Sequence, residues 1–323
     1  MPHKTDIDEI DAKILKTLLN ESRTSFTEIA KDCKISVPAV RMRFKHLWKT
    51  GIINGETMLV NPHSLGYEYI AHIGITTTRE DEGIVTEFLE SKPYVPSVLR
   101  DFGKYNLTIQ VALHNIGELS KIQRELEAHP LIKHVDSFIW DHDIVIEHPE
   151  NLIIKPFSSK IEPKHIAVKE AEIKMDETDK KIAKILTQKS RTPFRQIAQQ
   201  LGISTKNVIE RYRKLRENVL TLSAITVDLN KLGYAGGVFV FMKLANKSMR
   251  PEVVTELLRI PNLIALFEYI GIYDLFAHVV LEDFQDYFKM ADSLKRIEDI
   301  DQLDIFLVPN FPAWPLNLFA FLL

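Results

Sequence analysis

The chain has 323 residues, 45% apolar and 26% charged, the balance of a globular protein of about two domains. Its formal charge of −3 excludes a polycation, so a nucleic-acid site must be a local basic patch. The single cysteine, Cys33, excludes an internal disulfide and a cysteine-based zinc site, and it fits a reducing cytoplasm.

The first residues, MPHKTDIDEIDAK, are polar and acidic, unlike a signal peptide. No run reaches the about 18–20 apolar residues that cross a bilayer, so no membrane partner is expected. Ile10, Ile14, Leu15 and Leu18 have the spacing of an amphipathic helix, with Asp8, Glu9 and Asp11 at its positive end. Thr24 is placed to cap a second helix carrying Phe26, Ile29, Ala30 and Cys33. The tight turn Lys34-Ile35-Ser36 follows, with Ser36 as cap of a third helix that Gly51 ends.

Two helices joined by about three residues, the second capped by serine, form a helix-turn-helix pattern. On the third helix Val40, Phe44 and Leu47 fall on the core side. Pro38, Arg41, Met42, Lys45 and Lys49 fall opposite. Lys34 to Lys49 holds five Lys and Arg residues and no acid, a face suited to phosphates in a major groove. Arg43 lies at the border of that face, where an ion pair within the fold competes with a DNA contact. Ile52 to Val60 reads as a strand leading to a hinge, and its Asn54-Gly55 dipeptide permits a hairpin wing.

Beyond the hinge, strands are expected at Tyr69–Thr78, Val95–Phe102, Leu107–Leu113 and Val135–Ile146. Helices carrying Ile84 to Leu89 and Leu119 to Leu126 separate them, giving the order β-α-β-β-α-β of a ferredoxin-like domain. Ile144 to Lys174, with three prolines, reads mostly as linker, although Asn151–Ile154 suits an edge strand.

Then the chain repeats itself. Asp8, Asp11, Ile14, Ser22, Arg23, Thr24, Phe26, Ile29, Ser36 and Val40 return as Asp176, Asp179, Ile182, Ser190, Arg191, Thr192, Phe194, Ile197, Ser204 and Val208, at a constant offset of 168. Gly103-Lys-Tyr105 returns as Gly271-Ile-Tyr273. The pattern reads as a duplication. In the second copy Thr192-Pro193 opens the second helix, with proline in its first turn, and Ser204 caps the third. Second-copy strands are expected at Gly237–Leu244, Leu263–Tyr269, Leu275–Leu281 and Ile300–Val308, with helices at Val253–Leu258 and Phe284–Leu294. The expected fold is α+β. Helix-turn-helix domains of winged type occupy 1–64 and 173–231, and ferredoxin-like sensors 65–148 and 232–323. A linker spans 149–172, and the uncharged tail Phe311–Leu323 packs on a core or an interface.

These landmarks resemble the leucine-responsive regulatory protein/AsnC (Lrp/AsnC) family of transcription regulators. They are Asp8/Asp11, Arg23, Val40/Arg43 and Gly103/Tyr105, then Asp176/Asp179, Arg191, Val208/Arg211 and Gly271/Tyr273/Asp274. The resemblance implies a regulator of double-stranded DNA, contacted by Ser36, Pro38, Arg41, Lys45 and Lys49 in one head and Ser204, Thr205, Lys206, Asn207 and Arg213 in the other. It further implies an amino acid or related metabolite near Gly103, Tyr105, Asn106, Gly271, Tyr273 and Asp274. Asn106 stands where the turn motif has Asp, so the first turn suits an ammonium group less than the second. Relatives carry one such unit and dimerise through their sensors. Here the two sensors are expected to pair within the chain, the tail offering a surface for further homo-oligomerisation.

Two other functions are compatible with parts of the sequence. A metabolite-binding or assembly protein with relict DNA heads keeps the same sequence features. Sirohaem decarboxylases share the architecture and pair two such units, but their chemistry needs a basic tetrapyrrole pocket with reactive His or Tyr, and no clear cluster stands out. His72, His114 and His142, with Asp141 and Asp143, lack metal-ligand spacing and read as solvated or capping residues. No cofactor, metal or catalytic residue is expected.

Overall fold

Helix α1 (Glu9–Asn20) starts where the Asp8 carboxylate accepts the Asp11 amide, while Asp11 reaches back to the Asp8 amide. Helix α6 (Glu177–Gln188) repeats this box with Asp176 and Asp179. The computed structural model describes residues 7–147, 173–310 and 313–323. The expected edge strand at Asn151–Ile154 and the side chains of His142 and Asp143 lie outside the described residues.

Helices α2 (Phe26–Cys33) and α3 (Val37–Lys49) complete the first head, and α7 (Phe194–Leu201) and α8 (Thr205–Asn218) the second. Ser36 and Ser204 cap α3 and α8 as expected. The cap of α2 is Ser25, not Thr24, because the Thr24 hydroxyl is spent on the Glu21 carbonyl at 2.8 Å. Pro193 is not inside the first turn of α7. It stands one residue before it, with extended backbone.

Strand β1 (Ile53–Val60) runs straight through Asn54-Gly55 and does not turn back into a hairpin. It pairs instead with β6 (Leu220–Val227) of the second head, in an antiparallel ribbon. The dipeptide sits at a register shift, where a Cβ on Gly55 would meet Thr226 Oγ1 at 2.5 Å. A strand from the other half offers a full ladder, which outweighs the local turn preference.

The first sensor is β2 (Tyr69–Thr77), α4 (Glu82–Glu90), β3 (Val98–Arg100), β4 (Leu107–Leu113), α5 (Ile116–Glu127) and β5 (Ile132–Glu147). The second is β7 (Gly236–Leu244), α9 (Arg250–Leu257), β8 (Leu263–Ile270), β9 (Leu275–Leu281), α10 (Phe284–Leu294) and β10 (Ile300–Val308). Both follow the expected β-α-β-β-α-β order. They join into one antiparallel sheet ordered β10-β7-β9-β8-β5-β2-β4-β3, with β5 and β8 as the joint. The free ends approach again, where the Phe102 amide donates to the Leu307 carbonyl at 3.3 Å.

Alternation along each strand decides the cores. Ile73 and Ile75 of β2 join Leu89 and Leu126 under the first sensor's helices; Val240, Leu257 and Leu294 do the same in the second. The opposite faces meet each other in a layer rich in aromatic rings: Phe138, Phe241, Tyr269, Tyr273, Phe276 and Phe306. The tail packs where expected, on this core. Trp314 exchanges both backbone hydrogen bonds with Val227 of β6 at 2.8 and 2.9 Å, and Asn317 Nδ2 donates to Thr57 Oγ1 and the Met58 carbonyl.

Candidate nucleic-acid interface and sensor turns

The third helix of each head buries Val40 and Leu47, or Val208 and Leu215, and turns the opposite face to solvent. Pro38, Arg41, Met42, Lys45 and Lys49 are all exposed, Met42 to 67%. Ser36 also lies at the surface. In the second head Ser204, Lys206, Asn207, Glu210, Arg213 and Glu217 are exposed, while Thr205 and Ile209 are half-buried. The structure thus carries each proposed set on one helix: Pro38, Arg41, Lys45 and Lys49 lie along the exposed side of α3, whereas Ser204 to Asn207 wrap around the start of α8, with Arg213 further along.

Arg43 and Arg211 take the internal role. Arg43 reaches Asp8 at 2.6 Å and Asp11 at 2.9 Å, and Arg211 reaches both Asp176 and Asp179 at 2.7 Å. These ties lock each recognition helix to the first helix of its head. The Asp179 amide and the Arg211 guanidinium hold the Asp176 carboxyl below its ordinary value. At Asp8 burial pushes upward, but the Asp11 amide and Arg43 outweigh it. In the second head Asn207 Oδ1 also accepts from Arg211 Nε at 2.7 Å, which fixes that amide at the helix start.

A reciprocal arginine contact joins the heads, and local sequence spacing does not reveal it. Arg23 donates to the carbonyls of Ser190 and Thr192 in the other head, and its guanidinium lies 4.2 Å from the Phe194 ring centroid. Arg191 returns the gesture to Ser22 and Thr24, 4.8 Å from the Phe26 ring centroid. Between them the buried hydroxyl of Ser22 meets those of Ser190 at 2.6 Å and Ser223 at 2.5 Å. The signal was the twice-occurring Ser-Arg-Thr at 22–24 and 190–192, which marked the residues without their partner.

The Gly-x-Tyr turns have a different character. Tyr105 and Tyr273 are buried and interact with each other, their hydroxyls donating to Asp136 and Asp304 respectively. Burial, with the neighbouring carboxylate, drives both phenols far above their ordinary range. Lys104 pairs with Asp136 at 2.8 Å and lies 5.1 and 5.8 Å from the two rings. Asn106 Oδ1 accepts the Thr77 amide at 2.9 Å. Asp274, only 2% exposed, does the same for Leu244 and pairs with Lys247 at 2.7 Å. Gly103 is required by packing, since a Cβ there would strike the Phe306 ring. Gly271 has φ 154° and lies against Phe138.

His72 is neither solvated nor a cap. It sits between the sheets with Nδ1 2.8 Å from the Tyr269 hydroxyl, and burial depresses its pKa to about 3. His114 stacks on Tyr67 at 4.1 Å. Among the described residues no group of three or more His, Cys, Asp or Glu gathers as for a metal ion. No described helix is long and apolar enough to cross a membrane.

Residues 175–216 match the AsnC-type helix-turn-helix domain, and residues 7–54 match the winged helix-turn-helix DNA-binding domain. Regulatory protein AsnC of Haemophilus influenzae is 31% identical over 118 residues, covering 36% of this chain and 79% of that protein. The regulator LrpA of Pyrococcus horikoshii is 41% identical over 99 residues, covering 31% and 70%.

The chain belongs to the Lrp/AsnC family.

These Lrp/AsnC relatives each match about a third of the chain. A likeness spanning both halves comes from the crystal structure of the siroheme decarboxylase NirDL. Its TM-score is 0.65 over 93% of this chain and 91% of that one, at 17% identity, which speaks for a shared fold alone.

Proposed function

We propose that this Lrp/AsnC protein is a sequence-specific, DNA-binding transcriptional regulator of the cytoplasm, whose two heads act as one unit within a single chain. The observation that carries this reading is the exposed basic face of α3 on a capped helix-turn-helix, clasped to a second such head by Arg23 and Arg191. A gel shift on the DNA upstream of the protein's own gene tests it. Binding there is expected to exceed binding to random duplex by about 10³-fold or more at physiological salt. Equal affinity for random DNA would leave only a relict head on a metabolite-binding protein. For an enzyme of the siroheme decarboxylase kind, the second reading, the support is fold likeness over both halves together with the buried His72–Tyr269 pair.

We also infer that an amino acid or related metabolite tunes DNA binding at the paired turns around Gly103, Tyr105, Asn106, Gly271, Tyr273 and Asp274. Support comes from the charged groups Lys104, Asp136 and Asp304 gathered at the two tyrosines. An effector that binds the native state raises Tm. Lys104→Ala is the informative variant, because Asp274→Ala would also remove the bonds to Leu244 and Lys247. A raised Tm with one amino acid, lost in Lys104→Ala, is expected. No shift with any of them would end this reading.

A further inference from the structure

The two seams between the sensor sheets are built differently. Along the first, β5 and β8 form a ladder, Trp140 stacks on Phe267 at 4.3 Å, and Tyr269 bonds to His72. Shifted by 168 residues, the counterparts of Phe267, Tyr269, Phe276 and Trp140 are Leu99, Asp101, Thr108 and Val308. Three of the four are aromatic residues replaced by smaller aliphatic or hydroxyl side chains, and the fourth is a tyrosine replaced by a carboxylate. At this second seam, among the described residues, the strands meet through the Phe102–Leu307 bridge alone. A cleft of about 280 Å³ opens there, lined by Thr86, Glu90, Leu99, Asp101, Phe239 and Asn310 among others.

Two residues of the lining each keep a buried acceptor without a donor among the described residues. Asp101 is only 6% exposed; its Oδ2 accepts the Thr108 hydroxyl, and its buried Oδ1 has no partner among the described residues. Asn310 gives Nδ2 to the Tyr234 carbonyl at 2.7 Å and to Asn230 Oδ1 at 3.1 Å, and its buried Oδ1 has no donor among the described residues. A buried acceptor left empty is costly, more so when charged, so native folds seldom keep two in one place unused. Arg100, which also lines the cleft, pairs through Nε with Glu82 at 3.5 Å, and no ion pair to Asp101 is found among the described residues. Burial accordingly holds the Asp101 carboxyl up near 7.

An occupant must therefore bring positive charge and N–H donors on an apolar body small enough for the cleft. We infer that the open seam binds a small organic amine, its ammonium group taken up by Asp101 with Asn310 as second acceptor, and its apolar part against Leu99, Phe239 and Val308. Glu90 disfavours a ligand carboxylate and Arg100 shares its charge with Glu82, which favours an amine over an amino acid. The site draws on both halves of the chain. Asn310 is tied to the turn after β6, so an amine bound to it is one hydrogen-bonded residue away from the segment that leads to the ribbon between the heads.

This inference goes beyond the regulatory reading and is tested without DNA. Intact protein is titrated with isoamylamine and phenethylamine by calorimetry and thermal melting. Both amines are expected to bind and raise Tm. Asp101→Asn, which keeps a partner for Thr108, should weaken binding about tenfold or more. Leu99→Phe copies the phenylalanine of the closed seam and should abolish binding by filling the cleft while the protein still melts cooperatively. No shift with either amine overturns the proposal. So does binding of isoamyl alcohol, leucine or phenylalanine as strong as that of the amines, or full binding by Leu99→Phe.

Discussion

Replacing Arg41 and Lys45 together by alanine is expected to weaken DNA binding by about 2 kcal/mol, roughly thirtyfold, and to flatten the salt dependence by about two phosphate contacts. The matched pair Lys206→Ala with Arg213→Ala should do clearly less. The exposed face of α3 carries Arg41, Lys45 and Lys49 with no acid, whereas that of α8 mixes Lys206 and Arg213 with Glu210 and Glu217. Lys206 and Glu210 stand 3.9 Å apart on the surface, so part of the second head's charge is answered before DNA arrives. The helix starts differ as well. Val37 and Ala39 offer apolar contacts, such as with a thymine methyl, where Thr205 and Asn207 hydrogen-bond. Asn207 Oδ1 already serves Arg211, so a bidentate grip on adenine must use the remaining lone pair and the free Nδ2. Two unlike heads held in one chain favour an asymmetric operator with half-sites about one helical turn, or a multiple, apart. Salt titrations of the two double variants and binding-site selection measure this. Equal losses, or a perfect palindrome, would contradict it.

Arg23→Ala is expected to lower stability by about 2–3 kcal/mol, and Arg191→Ala by a similar amount, read as a fall in the urea midpoint at constant slope. Each substitution leaves two carbonyls of the opposite head without their charged donor and strips a cation from an aromatic face. Arg23→Lys should recover little, since a single ammonium cannot reproduce the fork of the guanidinium. The functional consequence is sharper than the loss of stability. With the clasp intact the distance between α3 and α8 is fixed, so inserting half a helical turn between half-sites should cost the wild-type protein one whole head. The Arg23→Ala,Arg191→Ala variant should bind the original operator more weakly and suffer less from the insertion. Stability within about 0.5 kcal/mol of wild type in both single variants would sink the idea that this clasp sets the spacing.

What could be read from the chain in advance was local. The Asp8/Asp11 and Asp176/Asp179 boxes, the serine caps and the core stripe of Val40, Phe44 and Leu47 rest on neighbours three or four residues away. Strand β4 at Leu107–Leu113 and helix α10 at Phe284–Leu294 fall where periodicity placed them. The constant offset exposed the repeat because it needs only the order of residues. Tertiary structure decided what several compatible partners compete for. Thr24 and Ser25 both suit a cap, and the Glu21 carbonyl took Thr24. Asn54-Gly55 suits a hairpin, but β6 offered a longer ladder. Arg43 suits phosphate or carboxylate, and two aspartates already in place took it, whereas Arg23 found its partner 167 residues away. The sequence alone determined the elements, their order and the basic face of α3. Only the fold decided which halves clasp and which seam stays open, because those outcomes depend on distant groups whose proximity no local spacing encodes.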